Sequence, residues 1–194
     1  MIDQAGLNIH EKITQLEKQI ADTRKKILEL RQSVSGEDIS DYMLSRGDGS
    51  QVSLDELFGN KDELIIIHNM GKGCAYCTLW ADGINGIYHH LENRAALALI
   101  SPDRPDVMKE FTEGREWKFL CLSNNGGNFT KDMGFENESG QPQPGMSTFY
   151  RDEAGKIHRT AFTNFGPGDD FCAAWHIFDH LKNGVNNWQP KFNY

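Results

Sequence analysis

Apolar positions along this chain fall into distinct patterns. From Asn8 to Ser33, the residues Ile9, Ile13, Leu16, Ile20, Thr23, Ile27 and Leu30 recur in alternating steps of four and three. That spacing is a heptad seam with Thr23 as its weak point, and it predicts a long helix ended at Gly36. Glu11, Lys12, Glu17, Lys18, Asp22, Arg24, Lys25, Lys26, Glu29 and Arg31 flank the seam. The narrow stripe leaves two uses open: lying on its own domain, or pairing with another subunit as a homodimer.

Leu64-Ile65-Ile66-Ile67 is apolar without alternation, which predicts a strand covered on both faces. Ala95 to Ser101 and Lys118 to Ser123 read as two more buried strands. Helices are predicted between them, one opening at or just before Cys77 and another over Asp106 to Gly114. Tyr42 to Phe58 reads as a hairpin turning at Gly47-Asp48-Gly49, then a helical turn capped by Ser53 with Glu56 three residues on. Met146 to Tyr150 and Ile157 to Phe162 form a second hairpin around Asp152-Glu153-Ala154-Gly155. A last helix is expected from Asp169 or Asp170 to about Leu181. Strand–helix–strand units predict parallel pairing, and the late hairpin adds antiparallel strands. The expected class is α/β, with three layers and a mixed central sheet over residues 37–194. Residues 1–36 form a helical arm.

Composition narrows the function. A net charge of -8 over 194 residues argues against nucleic acid or an acidic membrane surface as partner. The N-terminus lacks a cationic segment followed by an apolar run, and no stretch approaches the roughly 18 apolar residues of a membrane span. A reducing cytoplasm is therefore expected, where four cysteines suit catalysis or metal binding better than a structural disulfide frame.

The chemistry concentrates at Cys74-Ala75-Tyr76-Cys77, between a buried strand and a helix. There the first cysteine meets the N–H groups and positive dipole end of the helix, which stabilise a thiolate. Cys74 is the expected nucleophile and Cys77 the resolving thiol, with Lys72 adding positive field. No organic cofactor is implied, because the redox element is a Cys74–Cys77 disulfide. The partner would be a protein or small-molecule disulfide. A different class remains open: a binding or assembly module whose cysteines are structural or zinc-bound. Cys172 and His176 lie four apart on the last helix, and with Cys74 and Cys77 they would complete a Cys3His set. Cys121, mid-strand among apolar neighbours, reads as a buried structural cysteine. Trp80 reads as core, and Asp82-Gly83 inside the helix suggests a kink or close packing.

These elements resemble the thioredoxin fold. The front hairpin with VSLDELFG resembles its peroxiredoxin-like branch. More closely, GKGCAYCTLWADGING, the later W-K-F…S-N-N-G-G-N-F-T-K-D-M-G and the closing aromatic helix resemble a bacterial thioredoxin-like family of unknown function. Its members are described as predicted dithiol–disulfide isomerases. The likeness covers roughly Tyr42 to Leu181 and implies thiol–disulfide exchange through Cys74 and Cys77. Two departures from thioredoxin itself stand out. The cis-proline that shapes the thioredoxin substrate groove is replaced by Ser147 in Gly145-Met146-Ser147-Thr148, so Tyr76, Met146 and Ser147 are the expected groove residues. The buried thioredoxin carboxylate is replaced by His68, and His68 or a neighbouring water would accept the Cys77 proton near neutral pH. The peroxiredoxin likeness raises thiol peroxidase as a further alternative. Against it, Met70-Gly71-Lys72-Gly73 precedes Cys74 where those enzymes carry Thr-x-x-Cys.

Overall fold

The computed structural model describes residues 4–194, and the chain divides after Gly36 into two compact units. The first holds α1, Gln4–Ser33. Ile9, Ile13, Leu16, Ile20, Ile27 and Leu30 of its seam are all exposed.

The second unit is built on one eight-stranded sheet. Its centre is β4, Glu63–His68, running parallel to β5, Ala96–Ser101. Parallel to β5 lies β6, Leu120–Ser123. On the other side β4 pairs antiparallel with β7, Gly145–Arg151, which turns into β8, Ile157–Asn164. One edge is closed by β1, Glu37–Ile39, antiparallel to the first residues of β8. The hairpin of β2, Met43–Ser45, and β3, Gln51–Ser53, closes the other edge through a single pairing of Ser45 with Ser123. The order is therefore β1-β8-β7-β4-β5-β6-β2-β3.

Alternating side chains of the central strands fill two cores, one on each face. Leu64, Ile66, Ala98, Ile100, Leu122 and Phe149 pack with Leu57 and Phe58 of a 3-10 turn at Glu56–Phe58 and with Phe129 of α5, Phe129–Asp132. Ile67, Leu97 and Leu99 pack on the opposite face against α2, Ala75–Gly86, and α6, Ala173–Asp179. Helix α3, Tyr88–Arg94, adds Tyr88 and Leu91 to that second core. Helix α4, Pro105–Gly114, sits between β5 and β6 and buries Met108 and Thr112. Helix–sheet–helix layering follows.

Local signals held in detail. Ser53 and Glu56 form a reciprocal capping box: the Ser53 N–H donates to Glu56 Oε2 at 2.7 Å, and the Glu56 N–H donates to Ser53 Oγ at 3.1 Å. The element it starts is one 3-10 turn. Three expectations are corrected. The helix after Cys74 breaks at Ile87 (φ -112, ψ 10), giving α2 and α3. Gly83 has open space where a Cβ would stand, so it marks neither the kink nor a close approach. Helix α6 starts at Ala173, because the Asp169 carboxylate takes the N–H groups of Phe171 and Cys172 in a separate turn before it.

Candidate active site

Strand β4 ends at His68 and the chain must reverse onto α2 within a few residues. Asn69 and Asp103 brace that turn. Asn69 Oδ1 accepts the Gly71 N–H at 2.6 Å, and Asp103 Oδ2 accepts the Lys72 N–H at 2.7 Å. Gly71 has φ +100, and a Cβ there would lie 3.2 Å from both Asp103 oxygens, so glycine suits the position twice over. Asp103 follows β5, and the parallel pairing of β4 with β5 brings it beside this turn. Neither Asn69 nor Asp103 carries a motif of its own. Only the strand pairing reveals them.

Cys74 is the N-cap of α2. Its half-buried Sγ accepts the Cys77 N–H at 3.1 Å, and Thr78 Oγ1 donates to the Cys74 carbonyl at 3.0 Å. The Cys74 thiol is pulled down to about 6 from an ordinary 9.0. The chief cause is hydrogen bonding from the Cys77 thiol, followed by the N–H groups of Cys77 and Tyr76. Cys77 is buried, and its pKa is driven strongly upward by holding that shared proton and by desolvation. The Met70 N–H reaches Cys77 Sγ at 3.5 Å and favours its charged form. Both thiols are free. The pair is thus a half-exposed acidic thiol backed by a buried basic one, which is the division of labour that nucleophile and resolving thiol require.

Lys72 has another place. Its side chain lines a cavity of about 360 Å³ with Val107, Glu110, Phe111, Arg115 and Phe192. The Cys74 thiolate is held by hydrogen bonds, and the Lys72 ammonium is not among the causes of its low pKa.

His68 and Ser147 correct the groove and relay expectations. Along β4 the side chain of His68 keeps the phase of Leu64 and Ile66, on the face opposite α2. Its ring stacks on Phe135 at 3.8 Å and on Phe129 at 5.7 Å, and its Nε2 meets Ser147 Oγ at 3.0 Å. Both side chains are buried. Desolvation, with a smaller push from Arg159, drives the His68 pKa down to about 3, so it stays neutral near pH 7. That environment suits a structural imidazole better than a group that takes up a proton near neutrality. Ser147 is the third residue of β7, and the residue entering that strand is Pro144. Its hydroxyl joins two strands inside the core and lines no groove. Met146 points to the α2 face, half-buried beside the second core. Tyr76 stays half-buried there too, 6.2 Å from both Trp80 and Trp175.

The zinc alternative is not assembled. Cys172 is buried in the second core, and His176 pairs with Asp170 at 3.2 Å and Asp179 at 3.7 Å. Among the described residues no three His, Cys, Asp or Glu side chains converge as a metal site. Cys121 has its thiol pushed up to about 12 by burial.

The WADG stretch anchors the site's helix. Trp80 Nε1 donates to Asp169 Oδ1 at 3.3 Å, tying α2 to the turn before α6. Asp82 receives Arg115 and, at 2.8 Å, Trp117 Nε1, while Arg115 donates to the Phe192 carbonyl at 2.7 Å. Asp82 therefore ties α2 to the end of α4 and to the C-terminal tail.

Sheet order, layering and the cysteine pair at the head of α2 define a thioredoxin-like α/β protein. The solved structures agree on the fold. Peroxidoxin BcpB from Mycobacterium tuberculosis is 21% identical over 66% of this chain and 84% of its own, with a TM-score of 0.54. Reduced Prx3 from Vibrio vulnificus, in complex with H2O2, is 19% identical over 70% of this chain and 90% of its own, with a TM-score of 0.57. AhpC from Enterococcus faecalis is 16% identical over 69% of this chain and 82% of its own, with a TM-score of 0.54. Residues 5–193 match the model of a bacterial protein family of unknown function, DUF899, and the chain belongs to that family. No curated protein matches it. Among the described residues no helix is long and apolar enough to cross a membrane.

Proposed function

We propose that this protein is a thiol–disulfide oxidoreductase working through Cys74 and Cys77 in a reducing cytoplasm. The observation that carries the reading is the Cys74 sulfur, half-exposed at a helix N-terminus and hydrogen-bonded by Cys77. The Cys74 thiolate attacks one sulfur of a substrate disulfide. A new S–S bond forms, the substrate bond breaks, and one substrate sulfur leaves as a thiolate. Cys77 then gives up its proton to that thiolate or to water and attacks Cys74 Sγ. The second substrate thiolate leaves, and a Cys74–Cys77 disulfide holds the two electron equivalents' worth of oxidation. An external thiol pair regenerates the dithiol. Isomerisation uses the same first step with release before Cys77 closes. The Met70 N–H, facing Cys77 Sγ, lowers the cost of charge on that sulfur in the second step.

The test is a titration through a thiol redox buffer, with the pair followed by mass after alkylation. A reversible two-electron couple is expected. Cys74→Ser abolishes disulfide reduction, and Cys77→Ser accumulates a mixed disulfide on Cys74. A pair that stays dithiol throughout would overturn the reading and favour a binding module, and Cys74→Ser at full activity would overturn it as well.

A thiol peroxidase is the second reading. It rests on the β2–β3 hairpin carried on β6 and on the peroxiredoxin identity of the structures that share the fold. It differs in the oxidant: Cys74 would take an oxygen from a peroxide as a sulfenic acid, releasing the alcohol or water. Cys77 would then form the disulfide and expel water. Peroxide-driven disulfide formation that outpaces exchange with disulfides by orders of magnitude would select this reading over the first.

A further inference from the structure

We infer that α1 is a dimerisation arm, pairing antiparallel with α1 of a second copy of this chain. The seam continues one residue past the end of α1, to Val34, which follows the last helical residue Ser33. Assigning Ile13, Ile20 and Ile27 to heptad position a puts Ile9, Leu16, Thr23 and Leu30 at d, and Val34 falls on the next a. Six of these apolar side chains along the helix are between 40% and 68% exposed, and Val34 is 56% exposed. An aligned seam of this length left in water is an interface waiting for a complementary helix.

The seam's own chemistry says which helix. In an antiparallel pair a positions meet d positions. Ile9 then faces Val34, Ile13 faces Leu30, Leu16 faces Ile27, and Ile20 faces Thr23. Every layer holds at least one branched aliphatic side chain, and Thr23 never meets its own copy. A parallel pair would stack Thr23 on Thr23 in mid-helix.

Charge points the same way. Asn8 to Asp22 carries two lysines against three acids, whereas Thr23 to Val34 carries four cations against Glu29 alone. Antiparallel pairing lays the acidic half on the basic half and sets Glu17 opposite Arg24. A parallel pair would also bring Lys12 to Glu17, but it would set Lys26 against Arg31 at both flanks, a like-charge contact that the antiparallel pair lacks. Ile at a with Leu at d suits parallel dimers too. That preference is offset here by the Thr23 layer and the two repulsive flanks. The same complementarity disfavours a purely acidic or purely basic foreign helix.

The test uses the full chain. Sedimentation equilibrium should give twice the 22.0 kDa chain mass, and Ile20→Glu should return it to one chain mass with the thiol–disulfide couple unchanged. Mixing Ile20→Cys with Thr23→Cys protein under mild oxidation should give a disulfide between positions 20 and 23, identified in tryptic peptides. Thr23→Cys alone should give little. A monomer at all concentrations overturns the proposal, and co-sedimentation of that monomer with anionic vesicles would assign the seam to a lipid surface. A dimer that survives Ile20→Glu overturns it as well. A dominant Thr23→Cys homodisulfide overturns the antiparallel arrangement.

Discussion

At the scale of single residues, Cys74 and Cys77 place one proton between two sulfurs. Cys74 gains its acidity chiefly from the Cys77 thiol, and secondarily from backbone N–H groups that any residue at those positions would supply. This separates two contributions that a helix-dipole argument merges. Alkylation of Cys74 by iodoacetamide should rise with pH through a midpoint near 6. Cys77→Ala removes the largest cause and leaves the amides to work against desolvation, so the midpoint should climb. A midpoint unmoved by Cys77→Ala would show that the amides alone set the acidity. Folding is linked to the same proton. The depressed pKa favours the folded state, with the contribution complete above about 9 and lost as pH falls through about 6.

Among elements, β7 is the strand on which the two faces are balanced. Gly145 opens it, opposite His68, and a Cβ there would stand 2.2 Å from the Phe135 ring and 2.3 Å from the Thr163 carbonyl oxygen. One of those neighbours is backbone of the paired strand β8 and cannot rotate away. Gly145→Ala should therefore cost about 1–3 kcal/mol or more, by prising β8 from β7 or pushing Phe135 off His68. Thermal unfolding measures it, and an unchanged midpoint would mean that β8 shifts freely. This packing also explains what was legible beforehand. Leu64 to Ile67 announced the central strand because a run without alternation is buried on both sides. The Ser53–Glu56 cap and the Asp152 to Gly155 turn were local signals that needed no partner. Strand β1 was missed because Glu37 and Asp38 are polar and gain their pairing only from β8. The break at Ile87 carried no proline, and the helix period runs through it. The position of His68 relative to Cys74 is legible in the sequence and suggests a relay, while the face its side chain takes is fixed by the pairing of β4 with β7.

For the whole molecule, the decisive consequence is an imidazole buried neutral between Phe135, Phe129 and Ser147. In the unfolded chain His68 binds its proton below about 6.5, whereas in the folded protein it does so only below about 3. Between those values the unfolded state holds more protons. Stability therefore falls as pH falls through that window, by at most about 1.4 kcal/mol per pH unit from this group. Asp38 and Asp152, both lowered and both bonded to His158, add acid sensitivity only below the ordinary carboxylate value of 3.8. Below about 6, where the Cys74 contribution is already lost, the upper part of the window thus belongs to His68. The double variant His68→Leu/Ser147→Ala removes donor and acceptor together, which leaves no orphaned polar atom and should be nearly neutral at pH 7. Urea midpoints measured from pH 7 to pH 4 should fall for the native chain and stay much flatter for the variant. Two curves falling in parallel would show that His68 takes up its proton in the folded state. The same experiment bears on chemistry. If His68 is neutral throughout, the pH profile of disulfide exchange should follow the Cys74 thiol in native and variant proteins alike, with no separate limb near 6.5.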